Sequence, residues 1–286
     1  MPTIERPKIN EGRAENGINA QRNQYVVKAN DLIQQSRYIM PVAQSKMLLL
    51  MISKIKPLDE IGETYWISIL EFCKICNLEC DSGKNYSVAK KAIKALADQS
   101  IWVKRPNGNE VLLRWLDRVE FDKASTGFKI TFNRDMLPYL YDLRTRYTRY
   151  CLDNVLTMDS KYGIRLYELL KSYQFMGNKI TFSVEELRTR MNITAYERYP
   201  DFRRFVLETA VNDINECSDI AVLYEPHSKD ARGTVDYITF TVKEPDYVDT
   251  RVRDIRKSRR LTADGKEIRK KQRDMLSSNG DTHHKA

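Results

Sequence analysis

The sequence predicts an α+β protein made of two tandem winged-helix domains. One observation behind this prediction is an order of helices, strand, paired helices and β-hairpin that occurs twice along the chain. A second is a residue-by-residue match of segment 68–78 to segment 183–193 at a constant offset of 115 positions. In both segments a serine followed three residues later by a glutamate fits a helix-capping box. Such a match, inside a repeated element order, favours two copies of one fold.

The first copy is predicted to begin with helices and a strand. A short helix starts at Asn30, and a strongly apolar helix covers 44–55. The β-branched and aromatic residues of 65–69 indicate a strand. Two helices follow it, one opened by Ser68 and one over 85–99.

A β-hairpin is predicted next, with strands over 101–104 and 111–121 and an Asn-Gly turn between them. We interpret this hairpin as the wing of the first domain. A strand over 128–132 completes the first copy.

The second copy repeats the order. Its predicted elements are a helix over 160–173, a strand over 179–182, a helix over 184–191, a longer helix over 199–217, and a second wing over 220–225 and 235–242. In helix 199–217, Leu207, Ala210 and Ile214 recur at helical spacing and form one apolar stripe.

These elements divide the chain into five parts. They are a disordered arm over 1–22, an N-terminal winged-helix domain over 23–143, a linker over 144–152, a C-terminal winged-helix domain over 153–244 and a basic, flexible tail over 245–286. The arm and the tail have few apolar residues, which predicts disorder, and the linker shows no clear periodicity.

Charge and composition limit the classes of function. The net charge is +9, but residues 251–286 hold 12 Lys/Arg against 5 Asp/Glu, which leaves only +2 for residues 1–250. Nucleic-acid binding by the folded part must therefore be argued from local faces. No window is apolar enough to span a membrane, and no signal peptide is predicted. Five cysteines without a secretory context indicate reduced thiols, so we expect a cytoplasmic protein without a membrane partner.

One face of helix 85–99 is the first candidate DNA-binding surface. Its polar face carries Ser87, Lys90, Lys91 and Lys94, joined by Lys84 just before the helix. The face contains no carboxylate, and the helix holds the recognition position of a winged helix, so we predict phosphate contacts. A solvated lysine face is the alternative interpretation.

The start of helix 199–217 is the second candidate surface. Arg204 lies away from the apolar stripe and could contact a guanine or a phosphate. By helical phase Arg203 falls close to the stripe. Glu208, one turn after Arg204, could instead form an ion pair with it.

The two predicted wing tips are the third candidate. They carry Lys104 and Arg105 in the first copy, and Lys229 and Arg232 in the second. Wing tips often lie over a DNA backbone, although basic loop tips are also an ordinary feature of protein surfaces.

Metal and catalytic signatures are weak. Cys73, Cys76 and Cys80 make a C-x₂-C-x₃-C pattern, but they share one helical face and no histidine is close in sequence, so buried thiols explain them better than zinc. The phosphate-binding glycine motif of nucleotide-hydrolysing enzymes is absent, and only three histidines exist. We therefore predict no catalytic residue, no metal site and no cofactor.

With these residues identified, the sequence resembles the replication initiators of iteron-containing, theta-replicating plasmids, of the mini-F initiator type. The matching motifs are SKYGIRLYELLKSY (160–173), YPDFRR with the following FVLETAVNDIN, SDIAVLYE, YITFTV, and NDLIQQSRYIMPVAQSKMLLLMISKI upstream. Together they cover about residues 24–244.

The resemblance implies a function and partners. Family members bind direct repeats as monomers through two winged helices and open an adjacent AT-rich region. Dimers joined through the N-terminal domain repress the initiator's own gene, which implies an inverted-repeat operator. Host initiator protein and replicative helicase are the implied protein partners. By motif match the family's paired arginines correspond to Arg203 and Arg204, and its second-wing basic residues to Lys229 and Arg232.

Three other functions are consistent with the residues alone. One is a winged-helix transcriptional regulator without an initiator role. Another is a strand-nicking enzyme, which the missing His cluster argues against. The third is a protein-interaction module whose lysine face is only solvated.

Overall fold

The computed structural model of the chain describes residues 24–56, 59–60, 62–75, 83–105, 107–122, 126–229 and 234–244. The helices are α1 (Asn30–Gln35), α2 (Val42–Ser53), α3 (Ile69–Ile75), α4 (Gly83–Asp98), α5 (Leu137–Leu140), α6 (Asp153–Leu156), α7 (Lys161–Tyr173), α8 (Val184–Arg190), α9 (Tyr199–Phe202) and α10 (Thr209–Cys217). A π-helical segment (Arg203–Glu208) joins the last two, so that 199–217 is one continuous helix. Two 3₁₀ turns cover Arg134–Met136 and Gln174–Met176.

The strands are β1 (Tyr25–Ala29), β2 (Ser36–Arg37), β3 (Thr64–Ser68), β4 (Ser100–Lys104), β5 (Glu110–Arg114), β6 (Leu116–Asp122), β7 (Gly127–Phe132), β8 (Tyr147–Cys151), β9 (Lys179–Ser183), β10 (Ala221–His227) and β11 (Tyr237–Lys243). No helix in the described ranges is both long and apolar enough to cross a bilayer.

Two sheets of the same topology confirm the predicted duplication. One has the order β3-β7-β6 and the other β9-β11-β10, so that in each the first strand pairs with the last. Strand β9 begins and ends 115 positions after β3, and α8 begins and ends 115 positions after α3. Both serine caps form: the Ser68 hydroxyl accepts from the N–H of Glu71 at 3.3 Å, and that of Ser183 from the N–H of Glu186 at 3.0 Å.

The assignment of the first wing is wrong. The predicted Asn-Gly hairpin exists as β4 and β5, and Gly108 adopts the positive φ of 87° that its turn requires. However, β4 also pairs with β2, so that β2, β4 and β5 form a separate three-stranded sheet, whereas the hairpin equivalent to β10–β11 is β6–β7. The sequence run 111–121 looked like one strand, but it is divided between β5 and β6 at the buried Trp115. Local pattern does not show which sheet a hairpin joins.

The region predicted as a linker contains strand β8, which pairs antiparallel with β1. Thr148 and Tyr150 are buried while Tyr147 and Arg149 are exposed, which is the alternation of a half-buried strand. This alternation was missed because its inward residues are threonine and tyrosine rather than aliphatic residues.

The described residues form two compact units. One consists of residues within 24–29, 46–100 and 112–156, and the other of residues within 30–45, 101–111 and 157–244. The unit that contains the second winged helix therefore also includes α1, β2 and the tip of the β4–β5 hairpin. Its core includes the fully buried Leu166, Tyr167 and Leu170 of α7.

Candidate nucleic-acid interface

The contact between α7 and helix 199–217 positions the helix that the sequence predicts to be the second recognition helix. The Asp213 carboxylate accepts from the N–H of Ser160 at 2.9 Å and from that of Asp159 at 3.2 Å. The Ser160 hydroxyl in turn caps α7 by accepting from the N–H groups of Tyr162 and Gly163. A Cβ at Gly163 would lie 2.6 Å from Asp213 Oδ2, so only glycine permits this close packing. The SKYG motif therefore positions helix 199–217 against α7.

Within helix 199–217, the π-helical segment Arg203–Glu208 changes which side chains meet. Because its turn is wider than an α-helical turn, residues five apart become neighbours. Arg203 Nε lies 2.9 Å from Glu208 Oε1, so the ion pair suggested for Arg204 is formed by Arg203 instead. The Arg203 side chain is 54% exposed, and the expectation from helical phase that it lies close to the buried stripe is wrong. A helical wheel assumes regular α-helical turns, so it gives the wrong direction for side chains in this wider π-helical segment.

Arg204 lies beside an exposed aromatic pair that the sequence analysis missed. Its guanidinium carbon is 5.2 Å from the centre of the Phe205 ring. Phe205 stacks on Tyr196 with ring centres 5.2 Å apart and planes at 24°. The signal in the sequence was a phenylalanine on the side of the helix opposite the apolar stripe. This pair and Arg204 together form an exposed surface of mixed aromatic and cationic character at the start of the helix.

The turn that leads into helix 199–217 is held by Arg188, which was also missed. Its guanidinium donates to the carbonyl oxygens of Ala195, Tyr196 and Glu197 at 3.3, 2.5 and 3.1 Å, and stacks 4.4 Å from the Phe202 ring centre. Burial lowers the pKa of Arg188 from its usual value. The result is a turn closed by a side chain rather than by regular secondary structure.

Two cations were predicted at the tip of the second wing, and one of them lies in the described part of the chain. Lys229 is exposed, and its Nζ lies 4.7 Å from the centre of the Tyr237 ring. A hydrogen bond with Tyr237 raises the pKa of Lys229 above its usual value. Arg232 lies outside the described residues.

Helix α4 presents the predicted lysine face in the other unit. Its exposed residues include Ser87, Lys90, Lys91 and Lys94, whereas Ala89, Ile93 and Leu96 are buried. The side chain of Lys84 lies outside the described part of the chain.

Two of these lysines have neighbours on their own unit. Lys94 Nζ lies 2.5 Å from Asp98 Oδ2, so the expectation that this face contains no carboxylate is wrong, because Asp98 follows Lys94 by one helical turn. Lys90 Nζ lies 5.1 Å from the centre of the Phe121 ring. The Lys94–Asp98 pair is exposed at i, i+4 spacing and stabilises by only about 0.3–0.5 kcal/mol, so a phosphate can compete for the lysine.

Lys104 and Arg105 are both exposed at one end of the β4–β5 hairpin. In the same hairpin Glu110 forms an exposed ion pair with Arg37 of β2, 3.1 Å apart. Lys104 and Arg105 lie in the unit that contains helix 199–217, and they are not part of a wing of the first winged helix.

The prediction that the three clustered cysteines are buried thiols can be checked at one of them. Cys73 is buried in α3, as expected of a structural thiol. Cys76 and Cys80 lie outside the described residues. Within the described ranges no group of three or more potential metal ligands occurs.

Comparison with known proteins identifies the family. The family described as "Initiator Replication protein, WH1" matches residues 25–171, and "Initiator Rep protein, WH2" matches residues 183–242. A replication initiation protein from Escherichia coli is 24% identical over 215 residues, which is 71% of this chain. The match covers 66% of that relative, so the chain spans just under two thirds of its length.

A solved structure has the same fold. The Pi initiator protein in complex with iteron DNA matches with a TM-score of 0.62 at 20% identity, covering 79% of this chain and 99% of that chain. The α+β class and the tandem winged helices are thereby confirmed. The two family matches cover both winged helices and describe a group of DNA-binding initiators rather than enzymes. The chain therefore belongs to the initiator replication protein family, with a WH1 and a WH2 region.

Proposed function

We propose that this protein is a plasmid replication initiator that binds directly repeated origin sites through its two winged helices. The observation that carries the proposal is the exposed cationic start of helix 199–217, where Arg203 and Arg204 project from a helix that α7 positions. Family membership supports it, as does the fold shared with the Pi initiator protein, which was crystallised with iteron DNA.

The contacts that we propose fall into two groups. Arg204 reads a base edge, because a guanidinium can donate two hydrogen bonds to guanine O6 and N7. The remaining cations contact phosphates and set the register of the protein on DNA. They are Lys84, Lys90, Lys91, Lys94, Lys104, Arg105, Arg203, Lys229 and Arg232, with Ser87 as a neutral hydrogen-bond donor. Each neutralised phosphate adds about −0.9 to the slope of log affinity against log salt concentration.

Origin opening and autorepression belong to the same proposal. Cooperative filling of adjacent repeats strains the duplex, and the AT-rich steps next to them melt because they are easily deformed. Dimers joined through the N-terminal domain bind an inverted-repeat operator and repress the protein's own gene. Host initiator protein and replicative helicase are recruited to the opened origin in the bacterial cytoplasm. Family membership is the support for these steps.

A gel-shift titration tests the DNA-binding step. The full chain is titrated onto direct repeats from the plasmid that encodes it and onto a scrambled duplex of the same length and composition. We expect the repeats to bind at least a hundredfold more tightly at physiological salt. Equal affinity for both duplexes would contradict the proposal.

A complementation assay separates an initiator from a regulator. The gene is supplied in trans to a replicon that retains the origin but lacks its own initiator gene. Propagation of the replicon is the expected result. Failure to propagate, while binding to the operator persists, would favour a transcriptional regulator.

A further inference from the structure

Helix 199–217 exposes a large apolar side chain on its outward face. Its buried stripe contains Phe202, Val206, Leu207, Ala210, Val211, Ile214 and Cys217. Phe205 is 42% exposed, and Thr209 and Asn212 are exposed further along the helix. In a winged helix this outward face is the one that meets the base edges of the major groove. Phe205 is not an isolated surface residue, because it stacks on the exposed Tyr196 ring and lies beside Arg204, so that together they form a mixed apolar and cationic patch.

The Phe205 ring is positioned by contacts within its own unit. Phe205 stacks on Tyr196, and Tyr196 is 36% exposed. Tyr196 adopts a left-handed backbone with φ 61°, and its carbonyl oxygen accepts from Arg188. The two rings thus form a preorganised apolar platform, and binding does not have to order them.

The surroundings of the platform favour DNA as its partner. Arg204 lies against Phe205 and Arg203 precedes it, and both side chains are exposed. Cations beside the rings match the phosphates that border the major groove. Among the groups that base pairs present in that groove, the thymine C5-methyl is the apolar one.

We infer that the Tyr196–Phe205 platform determines specificity by packing Phe205 against the C5-methyl group of a thymine in the repeat. The inference rests on the proposed function, since it assigns one base contact within the proposed DNA interface. Arg204 then contacts a neighbouring guanine or phosphate, with its guanidinium oriented by the Phe205 ring. Phe205 is a specificity-determining residue in this arrangement, and Tyr196 is a positioning residue behind it.

Uracil substitution tests the contact directly, because deoxyuridine differs from thymidine only by the absent methyl group. The affinity of the full chain is measured by fluorescence anisotropy for a repeat duplex and for duplexes in which thymines are replaced by deoxyuridine one at a time. We expect one position in the part of the repeat bound by the second winged helix to weaken binding about three- to tenfold.

The variant Phe205→Ala should bind the thymine duplex more weakly and lose its sensitivity to uracil at that position. Loss of the methyl effect in the variant measures the coupling between ring and methyl, as in a double-mutant cycle. Phe175→Ala is the matched control, because Phe175 is 72% exposed in the same unit and lies in a 3₁₀ turn before β9. It should keep both the affinity and the uracil sensitivity.

Each result decides for or against the contact. If wild-type protein binds the repeat but no uracil position weakens it, the inference is overturned and the proposed function stands. Phe205→Ala with unchanged uracil sensitivity overturns it as well, because the methyl effect would then not depend on the Phe205 ring. If wild-type protein does not distinguish the repeat from scrambled DNA, the proposed function itself fails. Should Phe205→Ala not fold, Phe205→Gln keeps more side-chain volume beside Tyr196 while removing the aromatic ring, and gives the same comparison.

Discussion

The packing of α7 against helix 199–217 can be tested by placing one methyl group at their closest contact. Gly163→Ala adds that group in the first turn of α7, three positions after the N-cap residue Ser160. In an ordinary helix this change stabilises by about 1 kcal/mol, because glycine is a poor helix former. Here we expect the opposite sign.

The magnitude follows from the distances. The new Cβ would lie 2.6 Å from Asp213 Oδ2 and 3.0 Å from Asp213 Cβ, so the aspartate must move. Overpacking of this kind costs about 1–3 kcal/mol. Moving the carboxylate away leaves the buried N–H of Ser160 without this acceptor, at about 1–3 kcal/mol more, and also breaks the part-buried bond from the N–H of Asp159. After subtracting the gain in helix propensity, the expected loss of unfolding free energy is about 1–5 kcal/mol.

Urea unfolding followed by circular dichroism measures this loss on the full chain. Asp213→Ala is the background control, because without the carboxylate the added methyl group meets less obstruction. The cost of Gly163→Ala should therefore be smaller in that background than in wild type. If Gly163→Ala raises the urea midpoint, the two helices do not make this contact, and the account of how the recognition helix is positioned is wrong.

Three further predictions concern DNA contacts and pH. Arg204→Ala should lose about 1–3 kcal/mol of binding free energy for the repeat and relax specificity at one base pair. Arg203→Ala should lose less, because Arg203 also pairs with Glu208. Equal losses of affinity in anisotropy titrations would contradict this ranking. Reversing the charge of the lysine face on α4 should weaken binding to all sequences alike and reduce the salt slope, and unchanged affinity would mean that the face is only solvated. The variant carries glutamate at Lys90, Lys91 and Lys94. Burial, with hydrogen bonds to Tyr141 and Asp59, raises the pKa of the Tyr65 phenol, so the folded state favours its neutral form. The stabilisation that the neutral Tyr65 phenol provides is complete below about pH 10, the usual tyrosine pKa, and falls as pH rises beyond that value. The urea midpoint of Tyr65→Phe should therefore fall less steeply with alkaline pH than that of wild type. Parallel curves for the two proteins would contradict the raised pKa of Tyr65.

Much of the architecture was already present in local sequence pattern. The 115-residue offset predicted the register of both strand–helix units, since serine capping and apolar spacing act within a few residues. The exposed lysines of α4 were predicted for the same reason, because a regular amphipathic helix determines which residues face solvent.

Other features were decided only by the tertiary structure. The wing of the first winged helix is β6–β7, because strand pairing depends on long-range contacts that a hairpin signal does not contain. Arg203 pairs with Glu208 because a π-helical segment interrupts the period on which the helical wheel depends. Tyr196 and Phe205 meet across a turn that Arg188 closes through carbonyl oxygens.

By itself, then, the sequence determined the two repeated units, their capped helices and the cationic faces. The tertiary structure decided which hairpin completes each sheet and which aromatic rings stand beside the arginines. The physical reason is range: propensity, capping and periodicity act over one or two turns, whereas strand partners and side-chain platforms are selected by the packing of segments far apart in the chain.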